Sequence, residues 1–406
     1  MNAIKRSLLA LAIAAAVGGG GTANAQISGN VIKIGVLSDM SSLYTDLAGA
    51  GSVIAAKMAV EDSGIEKKGY KVEIVSADHQ NKPDVGSSIA RRWYDAEGVD
   101  VIVDVPNSGV ALAIANITKE KNKVFLASGP GTSDLTGKSC SPNTVHFTYD
   151  TWMLANGTGT AITKQGGNTW FFITADYAFG QALERDTTAA VEKAGGKVLG
   201  DVRVPLNNQD FSSFLLQAQS SKAKVIGLAN AGGDTTNSIK QAAEFGIVKG
   251  GQELAGLLVF ITDVHALGLP TAQGLTFTTT FYWDMNEQTR AFSKRFAAQD
   301  KGIHPTMVHA GVYASLLQYF KAVEALKNDT DGVKIVDKMK SMPTDDPLFG
   351  KGTIRVDGRA LHPAYLVKVK TPAESKAPWD YYKIVSTIPA DEAFRPLKDG
   401  GCSLVK

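Results

Sequence analysis

The 406-residue chain lacks most of the features that would assign it an activity directly. It has two cysteines, Cys140 and Cys402, and its six histidines form no HExxH pair, so no metal site is expected. No GxSxG elbow marks a hydrolase nucleophile. Residues 132–139 end as a phosphate loop does, in Gly137-Lys138-Ser139. However, Thr132 stands where the first glycine belongs, and Pro142 would cut short the helix that such a loop needs. Gly49-Ala50-Gly51 lacks the third glycine of a dinucleotide fingerprint and falls inside a predicted helix rather than between strand and helix. No catalytic residue and no cofactor is therefore expected. Charge of one sign is missing too: 42 Lys and Arg face 40 Asp and Glu, with no basic run. That balance argues against nucleic acid or an anionic membrane as a partner. Beyond residue 17 no apolar run approaches the ~20 residues that span a bilayer.

What is present begins with an export signal. Lys5 and Arg6 form a positive start, residues 8–17 an apolar stretch, and Ala23-Asn24-Ala25 a small-residue cleavage site. Residues 1–25 are thus expected to be removed, leaving Gln26 first, with no cysteine there to carry a lipid anchor. The mature chain would hold 40 residues of each charge. Its length exceeds the ~250–300 residues at which single cores stop growing, so two lobes are expected. In an oxidising compartment Cys140 and Cys402 either pair, pinning the C-terminal tail to the middle of the chain, or stay as two buried thiols.

Short β-rich runs alternate with helical stretches. Residues 31–37 (VIKIGVL) are a largely apolar, β-branched run, as expected of a strand buried on both faces. Further strands are predicted at 71–76, 99–105 and 124–127, with helices at 89–97 and 110–120 between them. Val53, Ala56 and Val60 mark one face of another helix. A second set places strands at 170–174, 197–204, 223–229 and 257–262, with helices at 181–194, 211–220 and 236–245. Long helices follow at 289–299 and 309–326, then short extended pieces near Ile354, at 365–369 and at 381–385. Strands alternating with helices imply a parallel sheet covered on both faces, twice over, and hence an α/β fold.

Ligands of open parallel sheets sit outside the carboxyl ends of the strands, so the residues that follow each strand are the site candidates. The first set offers Ser38, Asp39, Ser41 and Tyr44, then Asn107 and Ser108, then Ser128-Gly129-Pro130-Gly131-Thr132. The second set offers Asp176 and Tyr177, then Asn230 through Thr235 with Gly232, then Asp263. Hydroxyls, amides and helix starts can hold a carboxylate without a cation, and glycines let backbone approach a ligand. Capping and turn chemistry would place any one of these residues here as well; their recurrence at successive strand ends is what argues for a site. Tyr149 with Trp152, and Phe281-Tyr282-Trp283, fall where the chain would pass between lobes.

Several of these segments together resemble the leucine/isoleucine/valine-binding-protein family of ABC-importer receptors. They are VIKIGVLSDMSS at 31–42, MAVED at 58–62, DLT at 134–136, ITADYAFG at 173–180 and the Gly232-Gly233 loop. The resemblance extends over most of the mature chain, and it rests on the order and spacing of the segments rather than on any single motif. It implies a type I periplasmic binding protein fold, with two Rossmann-like lobes joined by a three-crossover hinge. The N-terminal lobe would comprise 30–147 plus 282–350, the C-terminal lobe 148–281 plus 351–390, and the tail 391–406. By the same resemblance, Asn107-Ser108 would take a ligand carboxylate, and Gly129, Gly131 and Thr132 would give backbone and hydroxyl contacts. Tyr177 would face them from the second lobe, and Asp263 would meet an ammonium. Two departures stand out: Gly232-Gly233 replaces a usual aromatic, and Asp263 a usual glutamate. The Phe281-Tyr282-Trp283-Asp284 stretch looks like that of members taking aromatic or other organic acids. The implied role is a monomeric periplasmic receptor, without cofactor or metal. It would bind a branched-chain or related amino acid, or an aromatic acid, and deliver it to an ABC permease in the inner membrane. The alternatives are a sensory module for a signalling receptor, and an NAD-dependent or hydrolytic enzyme, against which the failed glycine motifs count.

Overall fold

The computed structural model describes Ile27 and residues 31–406; the predicted signal peptide lies outside the described residues. The chain opens with β1 (Val31–Ser38), α1 (Gly49–Ser63), β2 (Lys71–Asp78), α2 (Pro83–Asp95), β3 (Val101–Asp104), α3 (Ser108–Glu120), β4 (Val124–Ala127) and β5 (Thr144–His146). Among the described residues these strands form one parallel sheet in the order β2-β1-β3-β4-β5. The central strands β3 and β4 are buried throughout, whereas the edge strand β2 alternates toward solvent. Gly35 lies within β1 because the Trp93 ring of α2 packs onto it; a Cβ there would come within 2.5 Å of Trp93.

The second set contains α4 (Thr151–Leu154), α5 (Thr160–Lys164), β6 (Thr169–Ala175), α6 (Ala178–Lys193), β7 (Lys197–Val204), α7 (Ser212–Ser220), β8 (Val225–Ala229), α8 (Gly233–Glu244) and β9 (Glu253–Gly256). Its strands are parallel in the order β7-β6-β8-β9. The strand predicted at 257–262 is a correction: the strand ends at Gly256, and residues 257–260 are a buried linker into α9 (Ile261–Leu267). The linker is apolar because it is enclosed, which periodicity alone cannot distinguish from a sheet core. The helix starts there because the Asp263 carboxylate accepts the Phe260 N–H at 2.8 Å.

After α10 (Leu269–Ala272) and β10 (Thr276–Thr279) the chain returns to the first lobe through α11 (Glu287–Gln299), α12 (Met307–Leu326) and α13 (Gly332–Ser341). Helix α12 lies along α1, with His309 Nε2 2.9 Å from the Ala48 carbonyl oxygen and Thr306 donating to the Leu47 carbonyl. Gly51 permits that approach, since a Cβ there would stand 2.4 Å from His309. Strands β11 (Thr344–Asp346), β12 (Gly350–Ile354) and β13 (Ala360–Leu361) pair with one another, and Arg359 bridges to His146 of β5. The chain then crosses again to β14 (Ala364–Val369), which lies between β10 and β15 (Tyr382–Ile388) in an antiparallel sheet. The result is a type I periplasmic binding protein fold, two Rossmann-like lobes joined by three crossovers. A short helix, α14 (Ala390–Ala393), opens the tail, and Cys140 and Cys402 form a disulfide. Among the described residues, no helix is long and apolar enough to cross a membrane.

Candidate functional site

The carboxyl ends of both parallel sheets open onto one cleft. On the first lobe, the loop after β1 is organised around the buried Asp39. Its carboxylate accepts the N–H groups of Ser42 (2.9 Å) and Tyr44 (2.8 Å) and the Asn81 amide (2.7 Å). This fixes Tyr44 so that its hydroxyl is hydrogen-bonded to that of Tyr177 on the other lobe. Burial, then each other's proximity, raises the Tyr44 phenol well above its ordinary range, and burial does the same for Tyr177 and Tyr149. These hydroxyls therefore stay neutral; that of Tyr149 is spent on the Gly129 carbonyl, and Tyr44 and Tyr177 share one hydrogen bond, which leaves one proton of that pair to donate.

After β3 the backbone is strained. Asp104 and Val105 have φ of +79° and +59°, and Val105 is both β-branched and followed by proline. Such conformations cost about 1–3 kcal/mol each and are held only where the surroundings impose them. Here they turn Pro106 into the cleft. Asp104 is fully buried, accepts the Ser38 hydroxyl at 2.7 Å, and is pushed by burial to a pKa of about 7.

A narrow cavity lies between the lobes, lined by Tyr44, Leu47, Pro106, Gly131 and Tyr149 from one side and the crossover. Tyr177, Phe179, Ala231, Leu258 and Phe260 line it from the other. Among the described residues no lysine or arginine lines it. Helices α3, α6 and α8 begin at its wall, where Pro106, Tyr177 and Ala231 precede their first turns. Asn107 caps α3, accepting the N–H groups of Gly109 (2.9 Å) and Val110 (3.1 Å), whereas α6 and α8 have no side-chain cap. The cleft is thus a largely aromatic space with hydroxyls and positive helix ends at its edge.

Of the residues singled out in the sequence, Tyr44, Gly131 and Tyr177 line this cavity together. Gly131 fits because a Cβ would stand 2.6 Å from the Phe179 ring. The others stand behind the wall. Ser108 Oγ accepts the Thr132 N–H at 3.2 Å, and the Thr132 hydroxyl accepts that of Asp134 at 3.3 Å. The Gly129 carbonyl accepts the Tyr149 hydroxyl at 2.5 Å. Asn230 is committed to its own loop, accepting from Thr235 (2.8 Å) and donating to Ser238 (3.1 Å). Gly232 has φ +58° and abuts Leu43 and Tyr44 across the cleft. Asp263, raised by burial to a pKa of about 7, places Oδ2 on the Phe260 N–H. Tyr282 lines a different cavity, on the hinge side of Phe260. The aromatic rings Phe179 and Phe260 were not legible as site residues, because nothing local distinguishes them from core. Among the described residues, no group of three or more His, Cys, Asp or Glu is placed to hold a metal.

Two α/β lobes closed on an aromatic cleft, bridged by tyrosines and crossed three times by the chain, define a binding protein that encloses a small solute. The sequence profile described as periplasmic binding protein matches residues 31–376. The chain belongs to that family, in its leucine/isoleucine/valine-binding branch, whose members are periplasmic. A structure of a periplasmic binding protein from Burkholderia mallei is 51% identical, with TM-score 0.90, covering 93% of this chain and all of that one. A branched chain amino acid ABC transporter periplasmic ligand-binding protein from Burkholderia xenovorans is 41% identical, with TM-score 0.82, covering 92% of this chain and all of that one. A Leu/Ile/Val-binding protein homolog of Brucella melitensis is 24% identical over 88% of this chain and 92% of its own. At 22% identity and TM-score 0.80, a solute binding protein from R. palustris in complex with benzoate shares the fold over 92% of this chain and 99% of that one.

Proposed function

We propose that this chain is the solute receptor of an ABC importer and that it encloses a small aromatic carboxylate between its lobes without transforming it. The observation that carries the reading is the cavity wall: Tyr44, Tyr149, Tyr177, Phe179 and Phe260 surround it, with no cation among the described lining residues. An aromatic ring would stack on and abut those rings, while the uncapped starts of α6 and α8 and the free proton of the Tyr44–Tyr177 pair would receive its carboxylate. The benzoate and 4-hydroxybenzoate complexes among proteins of this fold favour the same class. Asn107, Ser108, Gly129, Gly131, Thr132, Asn230 and Gly232 would shape the wall, directly or one layer behind. We place the lobe junctions at the segments near 147–151, 280–286 and 361–364. The last lies later than residue 350 because β12 and β13 pair on the first-lobe side.

A second reading, an amino acid, draws on the acidic side chain of Asp263 beside the cleft and on the relative from Burkholderia xenovorans. In that case Asp263 Oδ1 would take the ammonium. Isothermal titration of the mature protein with benzoate, 4-hydroxybenzoate, leucine and isoleucine separates the two. The aromatic reading expects micromolar or tighter binding of an aromatic acid, about 8 kcal/mol or more. Binding of the aliphatic amino acids alone, abolished in Asp263→Ala, would replace it with the second reading. No binding of any of the four would remove both.

A further inference from the structure

A second narrow cavity lies on the hinge side of the first, and Phe260 belongs to the lining of both. The linker from β9 to α9 forms the partition. Leu258 faces the first space and Val259 and Ile261 the second, while the Phe260 ring contacts both. Phe260 is almost fully buried and meets Tyr149 edge-on, with ring centroids 6.1 Å apart. Its backbone is fixed by the Asp263 carboxylate on its N–H, so the ring is held in place by the helix start beneath it. The hinge space is walled by Phe281, Tyr282, Trp283 and Met307. Most of its hydroxyls are committed: Thr306 donates to the Leu47 carbonyl, Thr279 to that of Phe281 and Tyr282 to that of Trp379. The Tyr382 hydroxyl, also in the lining, is buried without a partner, so an occupant would meet a largely aromatic wall with one free hydroxyl.

We propose that Phe260 is a specificity determinant that separates the ligand side of one interlobe cleft from a hinge-side pocket, and that its bulk sets the longest ligand accepted. The inference rests on the reading of the first cavity as the solute site. With the carboxylate at the helix starts, the far end of a single-ring acid meets Phe260, and removing that ring joins the two spaces. A two-ring acid could then extend into the hinge chamber, burying its second ring against Phe281 and Trp283.

The test is calorimetric titration of the full mature chain and its Phe260→Ala and Phe260→Leu variants with benzoate and biphenyl-4-carboxylate. The readout is the ratio of the two affinities, which cancels any general loss of stability. Wild type should prefer benzoate. The ratio should move toward the two-ring acid by at least tenfold in Phe260→Ala and by a smaller step, about threefold, in Phe260→Leu. If Phe260→Ala does not give a cooperative melt, the leucine variant alone carries the comparison. Unchanged ratios in a folded variant, or equal binding of both acids by wild type, would overturn the partition while leaving the solute site standing. Failure of wild type to bind any aromatic acid would overturn the solute reading and this one with it.

Discussion

Gly232 shows how one residue can control the lobes. Its φ of +58° favours glycine, and a Cβ there would come within 2.6 Å of the Leu43 carbonyl oxygen and 3.1 Å of the Tyr44 ring. Because Leu43 and Tyr44 belong to the opposite lobe, an added methyl group would prop the cleft open as well as strain the turn. Gly232→Ala is expected to weaken ligand affinity tenfold or more, while the melt of the ligand-free protein falls by only a few degrees. Unaltered affinity in calorimetry would contradict this. Asp104 makes a prediction in pH. Burial raises its folded pKa to about 7, against ~3.9 for an unfolded aspartate, so between those values the folded state holds the proton that the unfolded state releases. Its contribution to stability therefore falls as pH rises from about 4 to about 7, by up to about 1.4 kcal/mol per pH unit. Asp104→Asn should show a shallower decline across that window in urea melts; identical slopes would refute it.

At the scale of elements, the tail offers the largest stability effect. The disulfide closes a sequence separation of 262 residues, and Arg395 donates to the Ser133 carbonyl at 2.9 Å beside it. In the chain-entropy account a loop of that length is worth about 5–6 kcal/mol. Replacing both cysteines by serine should lower the free energy of unfolding by several kcal/mol in guanidinium melts, and an unchanged midpoint would contradict that role. The elements also show what a sequence can convey. Strand β1 was legible because a seven-residue β-branched run has few other uses, and α12 because its length leaves no alternative. Strand β5 escaped notice because Thr144-Val145-His146 carries no pattern of its own. The linker at 257–260 was mistaken for a strand because enclosure by two lobes makes a loop as apolar as a sheet. Within the cleft, the residues that follow strands could be located by topology, which is why Tyr44, Gly131 and Tyr177 emerged. Tyr149, Phe179 and Phe260 converge there only through tertiary folding, from a crossover, a helix and a linker well separated in the chain.

The whole molecule is two lobes held together at several places around one cleft. Tyr44 meets Tyr177 across it, and Asp186 of the second lobe accepts the hydroxyl of Ser133 of the first at 2.7 Å. A solute touching both faces adds to these contacts only when they are brought together, so it shifts the population toward the closed form. The three crossovers would carry that motion, and the tail is tied back to the second lobe through Asn156, which donates to the Glu392 carbonyl at 3.1 Å.

The most direct test is a crystal structure of the mature protein grown with benzoate or 4-hydroxybenzoate. The account predicts the ring enclosed by Tyr44, Tyr149, Tyr177 and Phe179, with its carboxylate at the first turns of α6 and α8. An acid found on the outer surface, or a cleft that remains empty at saturating concentration, would contradict it.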